Sequence, residues 1–183
     1  MTKAWMLACA ATLSLTACDN AQKGSVPTSD KAAEAAGDKT LAAGLGDNKK
    51  FAAAVKSAGL EGVLAGPTPY TLLVPNDAAF DKLPAGAVDT LMAPAGRKEL
   101  TAVLTSHILP GTMLAADIGK AIDAGGGKTQ IATLGGGALT ATRSGDAIVI
   151  ADAAGTQAKV IGADSARSNG VIHTIDAVLM PTK

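Results

Sequence analysis

The chain has 183 residues, 16 basic and 16 acidic side chains, and aromatic residues at only 2%. With a positive mean hydropathy, this length predicts one ordinary globular domain plus accessory segments. Balanced charge and scarce stacking rings exclude a nucleic-acid binder, which needs a basic face interleaved with aromatics.

The first stretch, MTKAWMLACAATLSLTAC, sets Lys3 ahead of an apolar run that closes on small residues, the layout of a bacterial export signal. The run is too short to be a spanning helix with its own stop. Leu15-Thr16-Ala17-Cys18 resembles the lipobox of bacterial lipoproteins. That resemblance implies cleavage after residue 17 and a lipid on Cys18, which would be the chain's attachment to a membrane. Asp19 resembles the inner-membrane retention signal of enteric lipoproteins. Cys9 falls in the removed segment, so the mature chain is expected to have no disulfide and to rely on core packing. Residues 18–40 are small, polar and mixed in charge, with no large apolar side chain beyond Val26. Such a stretch buries too little area to offset the ordering of its backbone and is expected to be a flexible tether, able to hold a domain some tens of ångströms from a bilayer.

The folded domain is expected over residues 41–183. Asp47 is placed to cap a helix whose apolar positions Phe51, Val55 and Ala58 recur at helical spacing, with Gly59 as its terminator. GPTPYTLLVP reads as a turn and a buried strand, Tyr70 to Val74, ended by Pro75. In NDAAFDKLP, Asn76 is a good N-cap and Asp77 sits at the positive end of the helix dipole, with Phe80 and Leu83 pointing inward. A longer helix is expected from about Ala95 to Ser106, with Leu100, Val103 and Leu104 on one side, followed by a short strand and turn in HILPG. The last third changes period. TQIATL, ALTATR, AIVIA, QAKVIGA and VIHTIDAVLM are strand candidates separated by GGG, SGD, DAAG and SNG, a spacing typical of antiparallel sheet. Helices first and strands later predict an α+β fold.

His173 raises the question of chemistry inside a core strand. By alternation it shares a face with Val171, Ile175, Ala177 and Leu179, the more apolar face of VIHTIDAVLM. A neutral imidazole there is expected to satisfy buried polar groups with one donor and one acceptor nitrogen. Asn169-Gly170, just before it, is a favoured turn pair.

Catalytic patterns are weak. His107 and His173 are the only histidines and neither lies in an HExxH context, so no metal site is expected. GGGKT (125–129) superficially resembles a phosphate loop, but Ile122 stands where that motif needs glycine and the preceding segment reads as helix. It is expected to be a flexible approach to a hairpin. No GxSxG elbow occurs, and acylation would remove the mature chain's only thiol as a nucleophile. Asp77, Asp81 and Asp89 are more simply a cap and exposed helix positions than an acid/base set. No enzyme activity and no cofactor are expected.

Three blocks in order, YTLLVPNDAAFDKLP (70–84), LTSHILPGTM (104–113) and NGVIHTIDAVLMP (169–181), resemble the two signature boxes and intervening histidine motif of fasciclin domains. The resemblance covers about residues 41–183. It implies a compact α+β wedge, helices beside a twisted antiparallel β-sandwich, with Asn76, Asp77, Phe80, His107, Asn169, Gly170 and His173 as structural motif positions. It also implies a non-enzymatic protein of the bacterial cell envelope, held on the periplasmic or outer side of a membrane, that mediates adhesion or binds a protein or matrix partner. Ser106 stands where the family usually has tyrosine. That tyrosine-histidine pair has been linked to integrin-dependent adhesion in animal members, so the departure argues against an integrin-type activity here. A periplasmic carrier of a small apolar ligand is the alternative and would need a pocket. A sugar-binding module is disfavoured, because the mature chain has no Trp and one Tyr.

Overall fold

The structure, a computed structural model, describes residues 38–181. The export signal, Cys9, Cys18, Asp19 and the expected tether up to residue 37 lie outside the described residues. Lys39 and Thr40, expected in the tether, already hydrogen-bond to the domain. The Lys39 carbonyl accepts from the Ser168 N–H at 3.0 Å and the Thr40 carbonyl from the Gly44 N–H at 2.9 Å.

A 3-10 turn at Ala43–Leu45 leads into α1 (Lys49–Ala58) and α2 (Glu61–Ala65). β1 (Tyr70–Pro75) follows, then α3 (Asp77–Asp81), α4 (Ala87–Met92), a 3-10 turn at Pro94–Gly96, and α5 (Arg97–Ser106). β2 (Ile108–Pro110) and α6 (Ala115–Ala124) precede the strand-rich third: β3 (Lys128–Ala132), β4 (Ala138–Ser144), β5 (Ala147–Ala151), β6 (Gln157–Arg167) and β7 (Gly170–Ile175).

α1 buries Phe51, Ala54 and Val55 on one face and ends at Gly59 with φ 75°, a left-handed residue that glycine adopts without a steric penalty. Its start differs from the local expectation. Asp47 is not the cap, and Asn48, the residue in the cap position, makes no side-chain cap bond. Instead Asp77, from α3, accepts from the Lys50 N–H at 3.0 Å. A neighbouring helix thus supplies one acceptor that the exposed first turn of α1 lacks. Lys50 Nζ also pairs with the Asp81 carboxylate. Asn76 caps its own helix, its Oδ1 accepting from the Ala79 N–H at 2.8 Å.

The seven strands run in the order β2-β1-β7-β6-β5-β4-β3. The sheet is mixed, not wholly antiparallel as its turn spacing suggested, because β1 lies parallel to β7 with Leu73 opposite His173. No turn links these two strands, so local turn signals carry no information about their relative direction. β6 is the corner of the sheet. Gln157, Ala158 and Lys159 pair with β5, and Val160 to Arg167 pair with β7 through two register shifts that include Asp164 at φ 57°. Such irregularities bend a strand and raise its twist. Beyond β3, the Leu134 N–H reaches the Ile108 carbonyl of β2 at 2.8 Å, drawing the two ends of the sheet together.

This curvature makes two main cores, one on each face of the β1–β7 pair. Inside the curl, every strand contributes: Leu73, Leu109, Ile131, Leu139, Ala141, Ile150, Ala158 and Ile175, with Ile118 and Ile122 of α6 packed against them. Outside, Leu72, Val74, Ile108 and Ile172 face Phe51, Val55, Leu64, Leu100 and Leu104 of the helices. Alternate residues of β1 thus serve opposite cores, which is why YTLLVP reads as an apolar run without alternation. Phe51 is 1% exposed, a burial that contributes about 1.5–3 kcal/mol.

The last strand ends at Ile175, earlier than the expected run through Met180. Beyond it the Asp176 N–H still reaches the Lys159 carbonyl of β6 at 3.1 Å, and two later N–H groups turn to side chains: Leu179 donates to His107 and Met180 to Asp152. Gly125–Gly127 terminate α6, with the Gly127 N–H on the Ile122 carbonyl at 2.9 Å, and lead into β3, the first strand of the β3–β4 hairpin.

Candidate functional site

The two histidines are wholly buried, at 0% exposure. His107 directly follows α5. Its Nδ1 lies 2.7 Å from the Val103 carbonyl and its Nε2 accepts from the Leu179 N–H at 3.1 Å, so the proton sits on Nδ1. The Phe51 ring meets the imidazole edge-on, with centroids 6.0 Å apart. Burial lowers its pKa to about 4, against the opposing pull of the Val103 carbonyl and the Asp152 carboxylate.

His173 uses the opposite tautomer. Its Nδ1 accepts from the Asp164 N–H at 3.2 Å, and its Nε2 donates to the Met113 carbonyl at 2.8 Å. Burial lowers this pKa too, opposed by the Met113 bond and by Asp164. The Asp164 carboxylate accepts from the Ala115 N–H at 2.7 Å, at the start of α6. Thr71 completes the junction: its hydroxyl donates to the Gly111 carbonyl and accepts from the Met113 N–H, both at 2.8 Å. His173 therefore joins β7, the bend of β6 and the loop before α6. Both ring nitrogens of each histidine are occupied by backbone groups, which leaves neither ring a free lone pair for a metal or a substrate proton. Among the described residues, no group of three or more His, Cys, Asp or Glu could hold a metal ion.

The other motif residues are architectural as well. Ser168 and Asn169 form the two-residue turn between β6 and β7, with Arg167 opposite Gly170. Asn169 does more than turn the chain. Its Oδ1 accepts from the Leu41 N–H at 2.7 Å and its Nδ2 donates to the carbonyls of Leu64 and Gly66 at 2.8 and 2.7 Å. One amide thus ties the domain entry and the end of α2 to the sheet. Gly170 must lack a side chain because a Cβ there would lie 2.0 Å from the Tyr70 carbonyl oxygen. Phe80 is half-buried between the helical core and a small cluster of Ala79, Val103 and Val178.

The candidate binding site is a groove of about 450 Å³ that the sequence did not reveal. Glu99, Ala102, Val103 and Ser106 of α5 form one wall, and the Gly135–Gly137 turn between β3 and β4 forms the other. Leu139 lies between them, while Asp152 and Met180 close one end. That glycine turn is docked on α5 through the Gly135 N–H, which donates to the Thr105 carbonyl at 3.1 Å. Asp152 holds the end in place: its two carboxylate oxygens accept from the N–H groups of Thr156 and Met180, both at 2.8 Å. Ser106 lines the groove, but neither histidine does. A second void of about 20 Å³ touches Phe51 and His107, room for about one water.

The sequence model of the Fasciclin domain matches residues 46–181. Protein sll1483 of Synechocystis is 36% identical over 141 residues, 77% of this chain and 71% of that protein. Transforming growth factor-beta-induced protein ig-h3 of Sus scrofa is 36% identical over 129 residues, 70% of this chain but only 17% of that protein. Cell surface glycolipoprotein MPB83 of Mycobacterium bovis is 33% identical over 112 residues, 61% of this chain and 44% of that protein. In structure, the chain is similar to a FAS1 domain pair from the insect cell adhesion molecule fasciclin I, with a TM-score of 0.57 and 22% identity over 72% of this chain and 44% of that one. Among the described residues, no helix is long and apolar enough to cross a membrane. The match spans both histidines, the Asn169 clamp and the groove, and the chain belongs to the fasciclin domain family.

Proposed function

We propose that this chain is a non-enzymatic, lipid-anchored protein of the bacterial envelope whose fasciclin domain binds protein or matrix partners in adhesion. The observation that carries this reading is the family match across nearly the whole folded region, together with a relative named as a cell surface glycolipoprotein that aligns with part of this chain. The lipobox-like Leu15–Cys18 and the polar stretch behind it supply an anchor and a tether. With no net charge and few aromatics, the domain has neither a steering field nor many of the Trp and Tyr anchors that make tight hot spots. Single copies therefore bind weakly, and dense display on a surface turns weak contacts into avidity. Beads carrying the chain at graded density, beside beads carrying an unrelated lipoprotein, test the idea. Attachment should rise steeply with density, and attachment no better than the control sinks it. Partitioning of native protein and Cys18→Ser into detergent tests the anchor, because only the native chain should enter the detergent phase.

The groove favours a second reading, carriage of a small apolar ligand. Its volume falls within the range of small-molecule sites, and its walls are largely apolar with a few convergent polar groups.

A further inference from the structure

The groove has a neighbour. The void of about 20 Å³ beside Phe51 and His107 shares two lining side chains with it, Leu91 and Val103. Val103 is buried in the core, whereas Leu91 belongs to α4 and is only half-buried. A side chain on a surface helix therefore stands between the open groove and the void. Phe51, Phe80, Leu83, Leu100 and Leu104 border the void on the side away from α4. Of the described residues around it, Lys50 and His107 carry polar side-chain groups, and both are engaged elsewhere: the Lys50 ammonium pairs with Asp81, and the two His107 nitrogens hold backbone groups. Such a surface favours apolar contact.

α4 is a lightly held wall. Val88, Leu91 and Met92, at helical spacing, turn one face of it toward the void, yet none of its residues is fully buried. Six residues are too few to hold a helix by themselves, so α4 stays in place through this half-buried face and through its last turn. There the chain folds back on Gly96, where a Cβ would overlap the Thr90 carbonyl oxygen and lie 3.0 Å from Leu91 Cα. Elements with few buried contacts open locally at low free-energy cost.

We infer that the binding site is longer than the groove: an elongated apolar molecule of the alkyl-chain class lies in the groove and, as α4 swings outward, passes Leu91 to fill the space beside Phe51 and His107. This inference rests on the ligand-carriage reading and adds to it the shape of the ligand and the wall that admits it.

Two alcohols of different length test it. The full chain carrying Cys18→Ser is titrated with 1-hexanol and with 1-decanol, and amide and ring signals are followed by NMR. 1-Hexanol should move the amides of Gly135, Gly136 and Gly137 alone. 1-Decanol should move these together with the Leu91 amide and the His107 ring. It should also bind at least about tenfold tighter, since each further methylene taken from water brings up to roughly a fourfold gain. Gly96→Ala pushes α4 outward without backbone strain, because φ there is −84°. It should tighten 1-decanol by about threefold or more, since the closed state no longer has to be opened first, while 1-hexanol is unchanged and hydrogen exchange in α4 quickens. Leu91→Ala shortens the partition, should tighten 1-decanol likewise, and replaces Gly96→Ala if that variant fails to fold. 1-Decanol that moves the glycine amides while Leu91 and His107 stay still is confined to the groove, which overturns the extension and leaves carriage standing. Tightening in neither variant overturns α4 as the wall that admits the ligand. Failure of both alcohols to bind overturns the extension and the carriage reading together.

Discussion

The two buried histidines perform similar hydrogen bonding in different surroundings. Each is neutral, donates to one backbone carbonyl and accepts from one backbone N–H, yet they use opposite ring nitrogens for the two tasks. At His107 the donor bond stays within the preceding helical turn and the acceptor bond reaches 72 residues onward to Leu179, against the Phe51 ring in the helical core. At His173 the partners are a half-buried Met113 and the exposed bend at Asp164. Loss of the first ring enlarges a void in the apolar helical core. Loss of the second leaves polar groups near enough to the surface for water to take them over. Position relative to solvent, rather than the number of hydrogen bonds, separates the two.

The strongest test of that distinction is truncation of the deeper site. His107→Ala should cost about 3–4 kcal/mol, from a cavity and from Val103 and Leu179 backbone groups left without partners. Chemical denaturation measures it, and a loss below that of His173→Ala would reverse the ranking. Acid gives the next effect. Because the folded pKa of His107 lies near 4 and the reference value is 6.5, the unfolded chain binds more protons between these values. Stability is therefore fully present above about pH 6.5 and falls as pH drops toward about 4, by on the order of 3 kcal/mol from this residue. Denaturation midpoints across that range should show the slope, and His107→Gln, which cannot titrate, should reduce it, leaving the contribution of His173, whose pKa burial also lowers.

His173→Ala should cost about 1–3 kcal/mol. Hydrogen exchange should then quicken at Met113, Ala115 and Asp164 and leave Leu179 protected, the reverse of the pattern for His107→Ala. The smallest effect belongs to Asp164→Asn, within about 0.5 kcal/mol of wild type. Asparagine tolerates the positive φ and keeps an acceptor for the Ala115 N–H. Removing the charge should nevertheless lower the His173 pKa further, since Asp164 raises it. An NMR titration of the ring checks the sign, and an increase would mean that Asp164 does not act on His173 through its charge.

Much of the motif chemistry was legible from neighbours in sequence. The face formed by Phe51 and Val55, the Asn76 cap and the strand AIVIA depend on contacts within a few residues, and periodicity or a turn signal reports those directly. The role of Asp77 was read only in part. Its place in the first turn of its own helix is local, but its bond to Lys50 spans 27 residues. Asn169 is the larger omission: a turn propensity is visible, whereas its bonds to Leu41 and Leu64, 128 and 105 residues away, are not. The run VIHTIDAVLM looked like one strand because every residue in it suits a strand. The strand stops at Ile175, and farther on His107 and Asp152, both distant in sequence, take the N–H groups of Leu179 and Met180.

By itself, the sequence determined that this chain builds an α+β fasciclin domain with His173 in a core strand, since composition, periodicity and three ordered motifs are written in local order. The parallel pairing of β1 with β7, the direction of each imidazole and the groove between α5 and the glycine turn were decided only in the tertiary structure. Each is a relation between segments brought together by burial of two apolar cores. A groove in particular is space left between surfaces, with no residue pattern of its own.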